Sequence, residues 1–267
     1  LTSINQDMER NMGRSGYSIK GGMDYYLTDN STLSLAGKMG TFGFSMGALT
    51  QTERIMQPMG IYNYELSNST FEIDHNYYTL SMDYQNKFDD NGHQLDASAY
   101  YSNADNDDTN EWDNFQTNQN WEKLNNNPYK QLTDETSTED ELQVKLDYTR
   151  PTNAGKLEMG YKGTYDLSDE TYRLKIFQNS QWSQEETSDI DYHRLTQALY
   201  ATYSGKVIGV DYKLGLRGEY TDRQLKQITL GDDYTINRFD LFPSAHFSKQ
   251  LNRGEQVFLS YSRRIRR

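Results

Sequence analysis

NRFDLFPSAHFSKQLNRGEQVFLSYSRRIRR, residues 237–267, is built from two arms that alternate apolar and polar side chains. A period of two places alternate side chains on opposite faces of a β-strand. The arms are joined by a polar segment near 250–254 that contains a glycine, which predicts a tight reversal. The apolar positions are Phe239, Leu241, Pro243, Ala245 and Phe247 in the first arm and Val257, Leu259 and Tyr261 in the second, with Phe242 out of phase. The pattern therefore predicts an antiparallel hairpin with one apolar and one polar face.

Composition narrows the class of β protein. Hydrophobic residues make up 34% of the 267 residues, while aromatic residues reach 13% with 22 tyrosines, and the mean hydropathy is -0.96. This mixture is too aromatic for a disordered chain and too polar for a conventional sandwich core. A transmembrane β-barrel accommodates it, because only an outward band must be apolar. The competing interpretation is a soluble β protein with long polar loops.

The rest of the chain repeats the same hairpin pattern. We predict an all-β fold, an antiparallel up-and-down meander of about ten strands that forms part of a transmembrane β-barrel, as a single segment over 1–267. The short turns are predicted near 28–31, 89–92, 151–155, 204–206 and 250–254. Between hairpins lie four segments predicted to be long polar loops: Phe42 to Asp74, Asn103 to Asp140, Asp166 to His193 and Thr221 to Ile236.

Two further patterns agree with a barrel wall. An aromatic residue precedes each short turn, which predicts an interfacial girdle of Tyr25, Tyr84, Tyr148, Tyr203 and Phe247. The predicted inward positions carry both charges, which cost little in a water-filled lumen and several kcal/mol each in a dry core. These positions are Lys20, Asp24, Lys38, Asp83, Asp96, Lys145, Asp147, Glu158, Lys162, Asp211, Lys213 and Arg217.

Few residues suggest chemistry. The chain contains no cysteine, its four histidines are far apart, and no nucleophile elbow is present, so we predict neither an enzyme nor a cofactor. Asp105, Asp107 and Thr109 resemble the start of a calcium loop, but Asn110 replaces the turn glycine, so a solvated acidic segment is favoured over a metal site. The net charge of -12 argues against nucleic acid as a partner.

The candidate ligand-binding residues are the three tryptophans. Trp112, Trp121 and Trp182 all fall in segments predicted to be outer loops. Indole rings offer rigid stacking surfaces to sugars, peptides or a partner protein. The alternative is that they pack the loops against one another.

The segments FPSAHFSKQLN and YSRRIRR resemble the barrel of TonB-dependent outer-membrane receptors of Bacteroidetes. The resemblance implies residence in the outer membrane, contact with its lipid and energised nutrient uptake. It also implies about 22 strands, a plug domain through which TonB acts, and a surface lipoprotein as a possible partner. Neither the plug nor a secretory signal is recognisable in this chain, so we expect it to be a fragment of the receptor.

A second hypothesis is a complete ten-stranded barrel enzyme that resembles the omptin proteases. Omptins use acidic residues and a histidine near the outer rim. The matching residues would be Asp74, His75, Asp191 and His193. This hypothesis requires that the four side chains converge in space.

Overall fold

The computed structural model describes residues 2–56, 60–178, 180–251 and 254–264. They form one antiparallel sheet of ten strands in which each strand pairs with the next along the chain. The strands are β1 (Thr2–Thr28), β2 (Ser31–Met56), β3 (Ile61–Lys87), β4 (Gln94–Thr117), β5 (Tyr129–Thr152), β6 (Gly155–Gln178), β7 (Gln181–Val207), β8 (Val210–Gln227), β9 (Asp232–Gln250) and β10 (Gln256–Ser262). The predicted all-β meander is confirmed.

The sheet has no second layer packed on it. Among the described residues, only Ala48 and Ala198 are buried apolar side chains. Apolar residues such as Met23, which is 67% exposed, and Leu199, which is 68% exposed, have no protein cover. The single layer contradicts the sandwich alternative, which requires two apolar faces packed against each other.

Register sorts the side chains onto two faces, because residues directly opposite each other in a paired ladder point the same way. The apolar face carries a band whose members are Tyr17, Ile19, Met23, Tyr25, Leu33, Leu35, Met39, Tyr78, Leu80, Met82, Tyr84, Leu95, Ala97, Ala99, Tyr101, Leu142, Val144, Leu146, Tyr148, Leu157, Met159, Tyr161, Tyr165, Leu195, Leu199, Ala201, Tyr203, Tyr212, Leu214, Leu216, Tyr220, Phe239, Leu241, Pro243, Ala245, Phe247, Leu259 and Tyr261. We call the opposite side of the sheet the polar face. Its charges and their pairings are described below.

The height of the apolar band matches a membrane. On β8 it runs from Tyr212 to Tyr220, roughly 26 Å along the strand at about 3.3 Å per residue. At the tilt of about 40° that is usual in outer-membrane barrels, this spans roughly 20 Å of the roughly 25 Å apolar belt. The five residues predicted to form a girdle all lie on this face, next to the short turns.

A second aromatic row, which the sequence did not reveal, borders the band at the opposite height. Its members are Tyr17, Tyr78, Tyr101, Tyr165, Tyr220 and Phe239. The rings of Tyr78 and Tyr101 are 5.8 Å apart. Two aromatic rows with an aliphatic band between them are typical of transmembrane β-barrels.

The prediction of four long polar loops is wrong. Those segments are mostly strand, and the strands of up to 27 residues continue well beyond the apolar band. We call these continuations the projecting ends: residues 2–16, 41–56, 61–76, 103–117, 129–141, 166–178, 181–194, 221–227 and 232–238. The longer links between them that the structure describes are residues 118–128 and 228–231.

The short turns agree with prediction at the first three hairpins and differ at the fourth. Strands end and begin around 29–30, 88–93 and 153–154. The fourth turn is not at 204–206 but at Ile208–Gly209, because Gly205 remains paired with Tyr212 in the ladder. Both turn residues have positive φ, 50° at Ile208 and 74° at Gly209. Ile208 therefore belongs to a turn and not to a strand face.

The fifth turn is partly outside the described residues, since Asn252 and Arg253 lie there. Its base is closed by a hydrogen bond of 2.8 Å from the Leu251 amide to the Glu255 carbonyl oxygen. Within the described part of the chain, no helix is long and apolar enough to cross a membrane.

Candidate functional site

The polar face at the height of the apolar band is lined by charges of both signs, and several of those on β5 to β8 are paired. All twelve predicted inward residues, from Lys20 to Arg217, lie on it by register. Glu158 is the centre of one network: Lys213 Nζ lies 3.0 Å and Lys156 Nζ 2.6 Å from its carboxylate, and the Thr202 hydroxyl donates to it at 3.2 Å. Paired, partly exposed charges of this kind suit a wall that faces water.

A second network is centred on Tyr200. Its hydroxyl donates to Asp147 at 2.5 Å, and the Lys145 ammonium group contacts the same carboxylate. The phenol end of the ring lies next to Gly160, and the Arg217 guanidinium lies 5.7 Å from the ring centroid. The network ties four neighbouring strands together across the polar face.

Higher on the same face, three arginines pair with carboxylates. The pairs are Arg194–Asp166 at 2.9 Å, Arg217–Glu219 at 2.8 Å and Arg238–Asp240 at 2.6 Å. Glu219 and Asp240 are among the few buried residues of the sheet. Buried carboxylates require such partners, and Arg217 and Arg238 supply them.

Above the band, the side of the sheet that continues the apolar face also becomes charged. Cross-strand ion pairs connect its strands at Lys130–Asp113 (2.8 Å), Lys175–Asp134 (3.3 Å) and Arg173–Asp189 (2.7 Å). Hydrogen bonding from Arg173 lowers the pKa of Asp189 despite the opposing effect of burial, with the Thr171 hydroxyl contributing. On β4 to β7, both sides of the projecting ends thus present polar groups to water, unlike the band below them.

On the polar face of the projecting ends, β4 to β6 are acidic. Asp108 and Glu135 are directly opposite each other. Burial and the neighbouring Asp107 raise the pKa of Asp108. Burial, Glu170 and Asp108 raise the pKa of Glu135. This wall therefore carries unfavourably close negative charges.

The structure does not bring the three candidate tryptophans together. Trp112 lies in β4 on the polar face, and Trp182 lies in β7 on the other side, with its ring 5.4 Å from that of Phe177. Only Trp121 is in a loop, that of residues 118–128. A bridge between Thr117 and Lys123 folds this loop back. The indole of Trp121 then meets Tyr64 edge to face at 5.6 Å.

The residues of the omptin-like hypothesis do not converge either. His75 lies on the polar face of β3, where its Nδ1 is 2.5 Å from Asn106 Oδ1. Asp74 lies on the opposite face of β3. Asp191 and His193, on β7, lie on the same side of the sheet as Asp74. Three strands separate β3 from β7. This arrangement holds no acid–histidine pair of the proposed kind.

Aromatic residues on the polar face of β2 and β3 were missed in the sequence. Phe44 and Phe71 meet edge to face with ring centroids 6.2 Å apart, and Phe42 lies next to Phe44 on the same face. A sequence signal existed, since Phe42, Phe44 and Met46 alternate with small residues. It was obscured because the segment was interpreted as a loop.

Residues 86–267 match the family described as the outer membrane protein beta-barrel family, and the chain belongs to this family. The match agrees with the sheet geometry and places the protein in the bacterial outer membrane. No protein in the curated collection matches the chain.

Among solved structures, the chain is similar to the ferric-catecholate import receptor Fiu from E. coli K12, with 10% identity, a TM-score of 0.46, and coverage of 96% of this chain and 54% of that one. It is similar to P. aeruginosa FpvA with 11% identity, a TM-score of 0.46, and coverage of 94% and 41%. It is also similar to the outer membrane protease OmpT from Escherichia coli, with 10% identity, a TM-score of 0.23, and coverage of 97% and 96%. The chain spans about half the length of the two receptors.

Proposed function

We propose that this chain forms part of the barrel wall of a TonB-dependent receptor of the Bacteroidetes type, which takes up a nutrient too large to diffuse through a porin. The observation that carries the proposal is the polar face of β5 to β8, where the networks around Glu158 and Tyr200 and the ion pairs Arg194–Asp166 and Arg217–Glu219 together cover the height of the membrane band. Such a wall suits a lumen that holds water and a plug domain.

The edges of the sheet support a wider barrel than ten strands. In the described part of the chain β1 and β10 pair with only one neighbour each, and their lengths are 27 and 7 residues. A bilayer does not tolerate unpaired strand edges. In the proposed receptor, further strands pair with β1 and β10, as in plugged barrels of about 22 strands.

The partners follow from this role. The apolar face contacts outer-membrane lipid, while TonB acts through a plug outside this chain, and a surface lipoprotein is a further candidate partner. We propose no catalytic role and no nucleic-acid partner. The acidic projecting ends of β4 to β6 are unsuited to a phosphate backbone.

The proposal is tested with the full-length receptor in planar bilayers and in cells. A plugged receptor conducts little current until urea unfolds the plug, and uptake in cells stops when TonB is deleted or the proton gradient is collapsed. A permanently open pore, or uptake that persists without TonB, would contradict the proposal.

We further propose that Trp112, Trp121 and Trp182 contribute to capture of the ligand or a partner. Replacing Trp121 by Ala is expected to weaken surface binding of the transported nutrient about five-fold, since stacking on an indole contributes on the order of 1 kcal/mol. The control is Leu124→Ala, an exposed apolar residue in the same loop, which should leave binding unchanged. Equal binding and uptake by the parent and by all three tryptophan variants would show that these residues only pack the strand ends.

A further inference from the structure

Cations and aromatic rings alternate on the polar face of β1 to β3. We call this surface the basic aromatic patch: Arg14, Lys38, Phe42, Phe44, Phe71 and Tyr77. The Arg14 guanidinium lies 5.7 Å from the Phe44 ring centroid, and Phe44 packs on Phe71. Below them, Lys38 Nζ lies 4.9 Å from the Tyr77 ring, which stacks on His75 at 5.3 Å. Each cation is thus held over an aromatic face, where both groups are presented together.

The charge of the patch is opposite to that of the chain. The polar-face positions of 8–20, 38–50 and 67–79 carry Arg10, Arg14, Lys20 and Lys38 and no carboxylate, although the whole chain has a net charge of -12. All four cations are exposed in the described sheet: Arg10, Arg14 and Lys20 lie on its edge strand β1, and Lys38 lies on the interior strand β2. Within the described ranges, none of them is in an ion pair, whereas Arg194, Arg217 and Arg238 on the same face are paired.

The aromatic members are partly open. Phe42 is 41% exposed, and Phe44, Phe71 and Tyr77 are half-buried. An exposed apolar patch rimmed by polar groups marks a binding surface. Cations alone would suit an aliphatic anion, and rings alone would suit a neutral ligand. The combination fits a ligand that carries both negative charge and a flat ring.

We propose that the basic aromatic patch binds an anion that bears an aromatic ring system. The ring stacks on Phe44 and Phe71, and the negative groups lie against Arg14 and Lys38. The acidic wall of β4 to β6, around Asp108 and Glu135, repels the same ligand and directs it towards β1 to β3. The proposal rests on the proposed function in one respect: the polar face must line the lumen of the receptor.

The test uses the full-length receptor in non-ionic micelles and the fluorescent aromatic polyanion pyrene-1,3,6,8-tetrasulfonate. Fluorescence anisotropy should show saturable binding that weakens as salt is added. Arg14→Gln, Lys38→Gln and Phe44→Leu should each weaken it about five-fold, as expected for loss of a cation or ring contact. Two different cations are replaced so that the proposal can still be tested if one of the variants folds poorly.

The matched control is Arg223→Gln. Arg223 is an exposed arginine on the polar face of β8. It lies three residues from Tyr220, on the side of the projecting end. Arg14 on β1 lies at the same distance from Tyr17, also on the side of the projecting end. This variant should bind like the parent, and citrate, an aliphatic trianion, should compete poorly. Absence of saturable binding, an equal effect of Arg223→Gln, or unchanged binding by Phe44→Leu would overturn the proposal. Because TonB dependence is measured separately, that proposal can stand while this one fails.

Discussion

Replacing Leu214 by Arg is expected to lower the free energy of unfolding of the full-length protein in lipid vesicles by roughly 2 to 4 kcal/mol. Leu214 lies in the aliphatic part of the apolar band on β8, two residues from its centre at Leu216, and is opposite Tyr203 on β7 and Ala245 on β9. In a bilayer, its side chain faces hydrocarbon, where a guanidinium loses its hydration. Denaturant titration with tryptophan fluorescence measures the loss.

The control for this change is His246→Arg. His246 is at nearly the same height on β9, but it lies on the polar face opposite Lys213 and is exposed. An arginine there remains in water and should have little effect. Similar losses for the two variants would mean that the two faces meet the same environment, which would contradict the assignment of the apolar face to lipid.

Replacing Gly160 by Val is expected to be the second most damaging change, with a loss of about 1 to 3 kcal/mol from overpacking. A Cβ atom at this position would lie 2.5 Å from the Leu146 carbonyl oxygen and 2.7 Å from the Tyr200 ring. The ring is fixed by the hydrogen bond of its hydroxyl to Asp147, and the carbonyl belongs to the ladder, so neither can move freely. The same denaturant titration measures the effect.

Gly21→Val is the matched control for Gly160→Val. A Cβ atom at Gly21 would meet nothing within 4 Å. Since valine also favours strands, this variant should be as stable as the parent or more so. If both glycine variants lose the same stability, close packing by Tyr200 is not the cause.

The sequence predicted the membrane-facing half of each hairpin because each face there meets one environment. Leu142, Val144 and Leu146 face one way, and Lys145 and Asp147 face the other, so the alternation is visible. In the projecting ends of β4 and β5, both faces meet water and the pattern vanishes. Asp105 and Asn106 lie on opposite faces of β4 and are equally polar, which is why that strand was predicted to be a loop.

The fourth turn was misplaced for a different reason. Gly205 suggested a reversal, but the ladder continues past it, and a Cβ atom there would lie 2.8 Å from the Tyr212 hydroxyl. The glycine therefore serves close packing within the sheet. The actual turn contains Ile208 with φ of 50°, a conformation rare for a β-branched residue, so sequence rules point away from it.

The candidate site was predicted only in part. The charged polar face followed from alternation alone, and all twelve of its predicted members have the expected orientation. The positions of Trp112 and Trp121 did not follow, because they depend on where β4 ends and on the fold-back at Lys123. The basic aromatic patch requires the register of three strands, which joins Arg14 to Phe44 across one ladder. Local sequence does not specify that register.

The central claim is that this sheet separates lipid from a water-filled lumen. Its most direct measurement is the accessibility of single spin-labelled cysteines at each position from Tyr212 to Tyr220, since the chain contains no cysteine of its own. In lipid vesicles, labels at the even positions, such as 214 and 216, should collide with dissolved oxygen, and labels at the odd positions, such as 213 and 217, with a water-soluble nickel complex. Uniform accessibility along the strand, or alternation in the opposite phase, would contradict the claim.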